Sequence, residues 1–168
     1  MTNLVIYPPG PVVKEVERVL VTRKAEYAIR ALVDLALHRA GEAGSREGVS
    51  SREGVSSSEV AVRQGIPPSL IAQILARLGE AGWVQGNRGP GGGVRLVRDP
   101  ATIDLRAVLE LFEGPVGITR CLVQEGYCEN QAACPLQRVW ARAQREMLKV
   151  LEDTTIAQLA QAQLAMKL

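Results

Sequence analysis

Apolar residues recur at helical spacing along much of the chain, and the recurrence breaks where glycine and proline gather. From Thr22 to about Arg39, Tyr27, Ala28, Ala31, Leu32, Leu35 and Ala36 share one face while Arg23, Lys24, Arg30 and Asp34 lie off it, which predicts a core helix. Thr22 is placed to cap it, and Glu26 puts an acidic group in the first turn, where it suits the helix dipole. A short helix opens at Ser58, runs over Glu59 to Gln64 and stops at Gly65. Pro68 starts a second, reaching about Ala81 with Leu70, Ile71, Ile74, Leu75 and Leu78 as its apolar stripe. The turn between them, Gly65-Ile66-Pro67, offers a residue without Cβ and then an apolar anchor, as a helix-turn-helix requires.

Gly82-Trp83-Val84 leads into a strand ending at Gly86, and Val94-Arg95-Leu96-Val97 alternates as a return strand, so that Arg88 to Gly93 forms the turn of a hairpin wing. Asp99-Pro100 ends the strand. Ile103 to Phe112 then fits a helix capped by Thr102 or Asp104, with Leu105, Val108, Leu109 and Phe112 buried. Leu136 to Leu151 is long and amphipathic, with Val139, Trp140, Ala143, Met147 and Val150 or Leu151 on one side. A helix of that kind, placed after the core is complete, needs a second chain to cover it, so a homodimer is expected. A last helix from Thr155, with Ile156 and Leu159, is expected to pack back against it.

The fold class expected from these elements is mostly α with a small β-hairpin wing. A winged helix-turn-helix domain spans 21–98, a loop is inserted at 41–57, and a cysteine loop with dimerisation helices occupies 99–168. Residues 1–20 carry Pro8-Pro9-Gly10-Pro11 and read as a flexible extension; Lys14-Glu15-Val16 is compatible with a coding-strand ribosome-binding site and initiation near Val19. Ser-Arg-Glu-Gly-Val-Ser occurs at 45–50 and again at 51–56, too short and too rich in Ser and Gly for a solenoid, and reads as a duplicated linker without a function of its own.

Composition sharpens this only in places. A hydrophobic share of 46% suffices for a core, and an aromatic share of 4% leaves helix packing through Ala and Leu to dominate. No apolar run is long enough to span a membrane and no secretory signal opens the chain, so a cytoplasmic location is expected. The net charge of +2 announces no partner, yet between Arg63 and Arg98 the chain carries Arg63, Arg77, Arg88, Arg95 and Arg98 against Glu80 alone. From Cys121 to Cys134 the only charges are Glu125 and Glu129.

That segregation divides the candidate chemistry in two. At the start of the second helix of the pair, Ser69, Ala72, Gln73 and Arg77 are the small or polar positions; Gln reaches adenine, Arg guanine, and Ala a thymine methyl in the major groove of double-stranded DNA, whereas a plain solvated face is the alternative. Ser58, at the head of the first helix, joins them as a DNA-facing candidate. In the wing, Arg88 supplies charge, and Gly89, Pro90, Gly91, Gly92 and Gly93 keep side chains away from a sugar-phosphate wall. A nucleotide-phosphate loop fits less well, because no Lys-Ser/Thr follows and the turn leads into a strand. Cys121 and Cys128 enclose six residues, Cys128 and Cys134 five; lacking a Cys-x-x-Cys knuckle, the triplet favours an iron-sulfur cluster, with zinc or plain thiols as alternatives. A single histidine, no paired carboxylate motif and no phosphate loop leave little for an enzyme or a small-molecule substrate.

Taken together, Thr22-Arg23-Lys24-Ala25-Glu26-Tyr27-Ala28, the Gly65-Ile66-Pro67-Pro68-Ser69 turn, the Arg88-to-Gly93 wing, the three cysteines and Trp140 resemble the winged-helix regulator family that includes IscR, NsrR and BadM, over about residues 19–160. The resemblance implies a homodimer that binds palindromic promoter DNA, represses or activates, and responds to an iron-sulfur cluster of two or four irons. It makes Cys121, Cys128 and Cys134 ligands and puts Ser69, Gln73 and Arg88 at the DNA. Gln137 stands where the cluster-assembly branch carries a histidine, so Glu26, at the position of a carboxylate in the nitric-oxide-sensing branch, becomes the candidate fourth ligand; His38 is a further candidate or a solvated helix-end residue. A cluster-free regulator of the same fold, controlled by a partner protein or small molecule, is the alternative.

Overall fold

The structure is a computed structural model that describes residues 21–43, 54–87, 92–129 and 133–166, the side chains of 40–43 excepted. The extension 1–20, residues 44–53, which include most of the duplicated segment, and Arg88, Gly89, Pro90 and Gly91 of the wing lie outside the described residues.

Helix α1 (Arg23–Ala43) runs through the centre of the domain. The Thr22 hydroxyl accepts the Ala25 N–H at 3.4 Å as the cap, and Ala25, Ala28, Ala31, Leu32, Leu35 and Ala36 are buried at helical spacing. Four alanines on that face let neighbouring helices approach closely. Asp34 departs from the expected solvated position: it is only 7% exposed, because Arg63 and Gln64 reach it from the next helix.

Helix α2 (Ser57–Gln64) begins earlier than the sequence pattern indicates. Its cap is Ser56, not Ser58: the Ser56 hydroxyl accepts the Glu59 N–H at 3.1 Å while the Glu59 carboxylate accepts the Ser56 N–H at 2.9 Å. Gly65, at φ +60°, ends the helix in a conformation that costs other residues a Cβ clash. Buried Ile66 anchors the turn into α3 (Pro68–Glu80), whose Ile71, Ile74, Leu75 and Leu78 enter the core as expected.

Strands β1 (Val84–Gly86) and β2 (Val94–Leu96) pair antiparallel with Val84 opposite Leu96, Gln85 opposite Arg95 and Gly86 opposite Val94. The end of the duplicated segment adds a third, single-residue rung: Val55 pairs with Val94 through N–H···O bonds of 3.0 and 2.7 Å and is 4% exposed. The second hexapeptide copy is therefore not wholly linker, because its Gly-Val-Ser closes the wing's base and caps α2.

A short 3-10 turn, Pro100–Thr102, precedes Ile103, which is fully buried ahead of the helix it was expected to open. Asp104 is the cap of α4 (Leu105–Glu113), accepting the Ala107 N–H at 2.7 Å. Val108 and Leu109 are buried; Leu105 and Phe112 are only half-buried. After α5 (Arg120–Val123) comes α6 (Pro135–Asp153), then α7 (Ile156–Ala165) with its own Thr155–Gln158 capping box. Helix α7, expected to fold back on α6, packs chiefly on α1 and the 100–102 turn. The Ile156 N–H donates to the Ile103 carbonyl and the Leu105 N–H to that of Thr154, both at 2.9 Å, and this pairing returns Ile156 and Ala160 to the cluster built on Leu32. Burial of an Ile or Val side chain there stabilises by about 1.5–3 kcal/mol.

Candidate functional site

With four residues of α3 turned inward, its opposite face is left to solvent: Ser69, Ala72, Gln73 and Arg77 are all exposed, so the small and polar side chains proposed to meet base edges form one accessible strip. Arg77 is held 3.1 Å from Glu80 across a surface pair weak enough to exchange for a phosphate or base. Ser58 is exposed at the start of α2, its hydroxyl 3.0 Å from that of Ser56. The first of the two helices, α2, is fixed to α1 by a motif that sequence reading missed. Arg63 forks onto Asp34 with bonds of 2.7, 3.0 and 3.2 Å, and the Gln64 amide donates to the same carboxylate at 3.0 Å. The Asp34 carboxylate raises the Arg63 guanidinium above its ordinary range. No signal in the spacing of apolar residues marks this pair; the one hint is an acidic residue inside a run of Ala, Leu and Val.

Of the wing, the stem is described, with Gln85 and Arg95 exposed and the Arg95 guanidinium donating to the Gln85 side chain at 2.6 Å. Arg98 lies 5.4 Å from the Trp83 ring centroid and donates to the Thr102 carbonyl, which braces the stem's exit. Gly93, one of the expected DNA-facing glycines, has a packing role, since a Cβ there would stand 2.3 Å from the Gly54 carbonyl oxygen and 2.7 Å from that of Val55. Its own carbonyl accepts the Asn87 N–H at 2.8 Å.

The cysteines sit on the segment joining α4 to α6. Cys121 is on α5 with its Sγ 3.0 Å from the Thr119 hydroxyl, Cys128 is exposed in the following loop, and half-buried Cys134 occupies the cap position of α6 ahead of Pro135. None forms a disulfide. The segment is tied to α6 where the Ile118 N–H donates to the Gln144 side-chain oxygen at 3.1 Å. Among the described residues no three His, Cys, Asp or Glu side chains are grouped to hold a metal ion, so the thiols and Glu26 are not gathered within one chain. Glu26 is exposed on α1, 3.8 Å from Arg30, and Gln137 lies in the first turn of α6. Three accessible sulfur donors on one short segment nevertheless fit the chemistry of thiolate-held iron.

Helix α6 buries none of its residues. Leu136, Val139, Trp140 and Val150 are 55%, 57%, 39% and 65% exposed, a stripe whose size and continuity mark an unpartnered helix face. The helix is held to α4 by Arg106, which pairs with Glu110 at 2.8 Å and also with Glu152; both carboxylates raise the Arg106 guanidinium above its ordinary range. No helix among the described residues is long and apolar enough to cross a membrane.

Known proteins share this arrangement. The chain is 33% identical over 142 residues to the HTH-type transcriptional regulator IscR of Yersinia enterocolitica, covering 84% of this chain and 79% of that protein, and 34% identical over the same length to IscR of Serratia proteamaculans. The solved structure of T. potens IscR aligns with a TM-score of 0.61 at 25% identity, covering 85% of this chain and 87% of that one. CymR (YrzC), the global cysteine regulator of B. subtilis, aligns at 0.65 and 23% identity over 85% of this chain and 97% of that one, a likeness of fold. The two IscR relatives are transcriptional regulators by name, in agreement with the sequence reading. The family model of Rrf2, described as an iron-dependent transcriptional regulator, matches residues 21–162, from the start of α1 into α7, and the chain belongs to the Rrf2 family of winged-helix transcriptional regulators.

Proposed function

We propose that this chain acts in the cytoplasm as a homodimer that binds promoter DNA in a sequence-specific way, and that Cys121, Cys128 and Cys134 hold an iron-sulfur cluster whose presence sets operator affinity. The observation that carries the reading is the placement of three free thiols, one exposed and two half-buried, on one segment at the N-terminal end of α6, inside the span matched by the family model. The exposed strip on α3, Ser69, Gln73 and Arg77, enters the major groove, while Ser58 and the wing residues Arg88, Gly89, Pro90, Gly91, Gly92 and Gly93 meet the backbone on either side. The apolar stripe of α6 covers its own copy, which spaces two α3 helices for half-sites roughly 34 Å or a multiple of that apart. Glu26 is the proposed fourth donor and reaches the cluster from the second chain of the homodimer. When bound, the cluster supplies reactivity toward oxidants and nitric oxide.

Anaerobically purified protein is expected to be brown or reddish, and Cys128→Ala to lose the visible absorbance and alter promoter binding. Unchanged spectra and unchanged binding in that variant refute the cluster reading. A second reading, a cluster-free regulator governed by a partner protein or small molecule, is favoured by the ungathered thiols and by Gln137, a poor iron ligand. Colourless anaerobic protein with intact DNA binding decides for it.

A further inference from the structure

The cysteine segment and the exposed helix α6 meet through a small contact to which neither DNA binding nor ligation of a cluster gives a role. The Gln144 side-chain oxygen, half-buried on α6, accepts the Ile118 N–H at 3.1 Å. Ile118 is three residues before Cys121 and adjoins Thr119, whose hydroxyl lies 3.0 Å from the Cys121 sulfur. The preceding residue is Gly117, where a Cβ would stand 2.3 Å from Val123 Cγ1 and 3.2 Å from the Gln144 oxygen. A side chain at this point would have to displace the Val123 methyl and crowd the Gln144 oxygen, and glycine leaves both in place while the amide of the next residue reaches α6. On α6, Gln144 lies one turn from Trp140 on one side and from Met147 on the other, beside the apolar stripe.

The geometry points to Gln144 as a positioning residue that registers the cysteine segment on α6, so that gathering the thiols displaces the helix bearing the apolar face. This rests on the cluster reading. Cys121 reaches Cys128 and Cys134 by moving α5, and α5 is joined to Ile118 through a span too short to absorb the motion. With the Ile118–Gln144 bond intact, the motion passes to the middle of α6. With the bond absent, it ends in the loop. The acceptor must be an oxygen at the end of a two-methylene stem, which glutamate reproduces and leucine does not.

The test uses full-length protein, wild type and the variants Gln144→Leu, Gln144→Glu and Gly117→Ala, kept anaerobic before and after reconstitution with ferrous iron and sulfide. Amide hydrogen exchange is followed over 117–134 and 135–150, with the visible spectrum recorded on the same samples. In wild type, reconstitution slows exchange in both segments, by about fivefold in α6, the equivalent of one ordinary hydrogen bond. Gln144→Leu is expected to colour normally, to keep the response in 117–134 and to lose that in α6, the ratio falling to about one; Gln144→Glu restores it. Gly117→Ala breaks the same contact from the other side and is expected to match Gln144→Leu, which preserves the test should the leucine variant fold poorly. A coloured Gln144→Leu protein with the wild-type response in α6 overturns the inference alone, as does one that takes up no iron, because Gln144 then serves ligand geometry rather than transmission. Wild-type protein that stays colourless overturns the cluster reading and this inference with it.

Discussion

Replacing Gly93 with alanine separates two roles that a wing glycine can have, close approach to DNA and close approach to its own domain. The added Cβ would lie 2.3 Å from the Gly54 carbonyl oxygen, 2.4 Å from its carbon and 2.7 Å from the Val55 oxygen. All three are backbone atoms, so no rotamer change relieves the overlap, and β2 must part from residues 54 and 55 by about 1 Å to restore ordinary contact. That separation breaks the paired N–H···O bonds between Val55 and Val94, now 3.0 and 2.7 Å, and uncovers Val55, now 4% exposed. Two hydrogen bonds at about 0.5–1.5 kcal/mol each, together with much of a buried valine, amount to roughly 2–4 kcal/mol. For a domain of this size the melting temperature should fall by roughly 5–15 °C. Thermal unfolding followed by circular dichroism, without DNA, measures it. Gly86→Ala is the control: Gly86 faces Val94 in the same hairpin, yet a Cβ there meets nothing within 4 Å, and its melting temperature should stay near wild type. If Gly93→Ala melts with Gly86→Ala and loses only DNA affinity, the packing argument is wrong and Gly93 serves the DNA directly.

Other consequences follow from named contacts. Ser56→Ala removes the cap of α2 and should destabilise by about 1 kcal/mol in chemical denaturation, whereas Ser58→Ala should leave stability unchanged. The Ser56 hydroxyl and then the Ser56 N–H hold the Glu59 carboxyl below its ordinary value of 4.5, so its contribution to stability is present above that pH and is lost as pH falls through the depressed value; melting between pH 6 and pH 2 should show a shallower acid decline in Glu59→Gln than in wild type. Deleting residues 45–50 leaves one Gly-Val-Ser directly before α2, and the melting temperature should hold, while Val55→Asp in the full chain should lower it by several degrees. Arg63→Ala leaves the Asp34 carboxylate, 7% exposed, without its charge partner and with the Gln64 amide alone, and should cost about 3 kcal/mol, more than Asp34→Asn, which still offers Arg63 an oxygen; equal losses in urea titrations would contradict that asymmetry. If α6 covers its own copy as proposed, Trp140→Glu, which places charge in the stripe, should shift sedimentation from dimer to monomer.

The sequence was most readable where one face of one element decides the outcome. The stripe on α3 and the apolar face of α6 obey helical periodicity, and the structure puts the first in the core and leaves the second exposed. Where the outcome depends on which of several equivalent residues finds a distant partner, periodicity is silent. Ser56, Ser57 and Ser58 can all cap a helix, and the selection of Ser56 depends on Glu59 three residues on, a spacing present in the sequence but passed over. Asp34 looks solvated on a helical wheel because its partners lie some thirty residues away on α2. Helix α7 is apolar on most sides, so its pattern names no neighbour; the pairing of residues 103–105 with 154–156 chooses α1 for it. The cysteine spacing identifies three donors and says nothing of whether they converge.

What the fold adds to those donors is a fixed relation between two ends of one helix. Helix α6 follows its cap residue Cys134 and runs nineteen residues from Pro135 to Asp153, about 28 Å at 1.5 Å per residue. Its far end is bound to the DNA-reading unit: Arg106 of α4 holds Glu152, the Leu105 N–H donates to the Thr154 carbonyl, and Ile156 is fully buried against the core that α1 shares with α3. Its near end carries the Cys134 thiol and the exposed Leu136, Val139 and Trp140 of the stripe. A helix bonded internally along its length transmits displacement without bending unless glycine or proline interrupts it, and between Leu136 and Asp153 there is neither. On the proposed reading, a shift delivered through the Ile118–Gln144 bond therefore moves the apolar face of α6 as a unit, pivoting about the Arg106–Glu152 anchor. This pivot then changes the spacing of the two α3 helices with no contact between the cysteines and the DNA. Arg106→Ala supplies the check, since freeing the anchor should leave cluster formation and dimerisation intact while the difference in operator affinity between cluster-bound and cluster-stripped protein falls toward none. A difference as large as wild type's in that variant would place the pivot elsewhere.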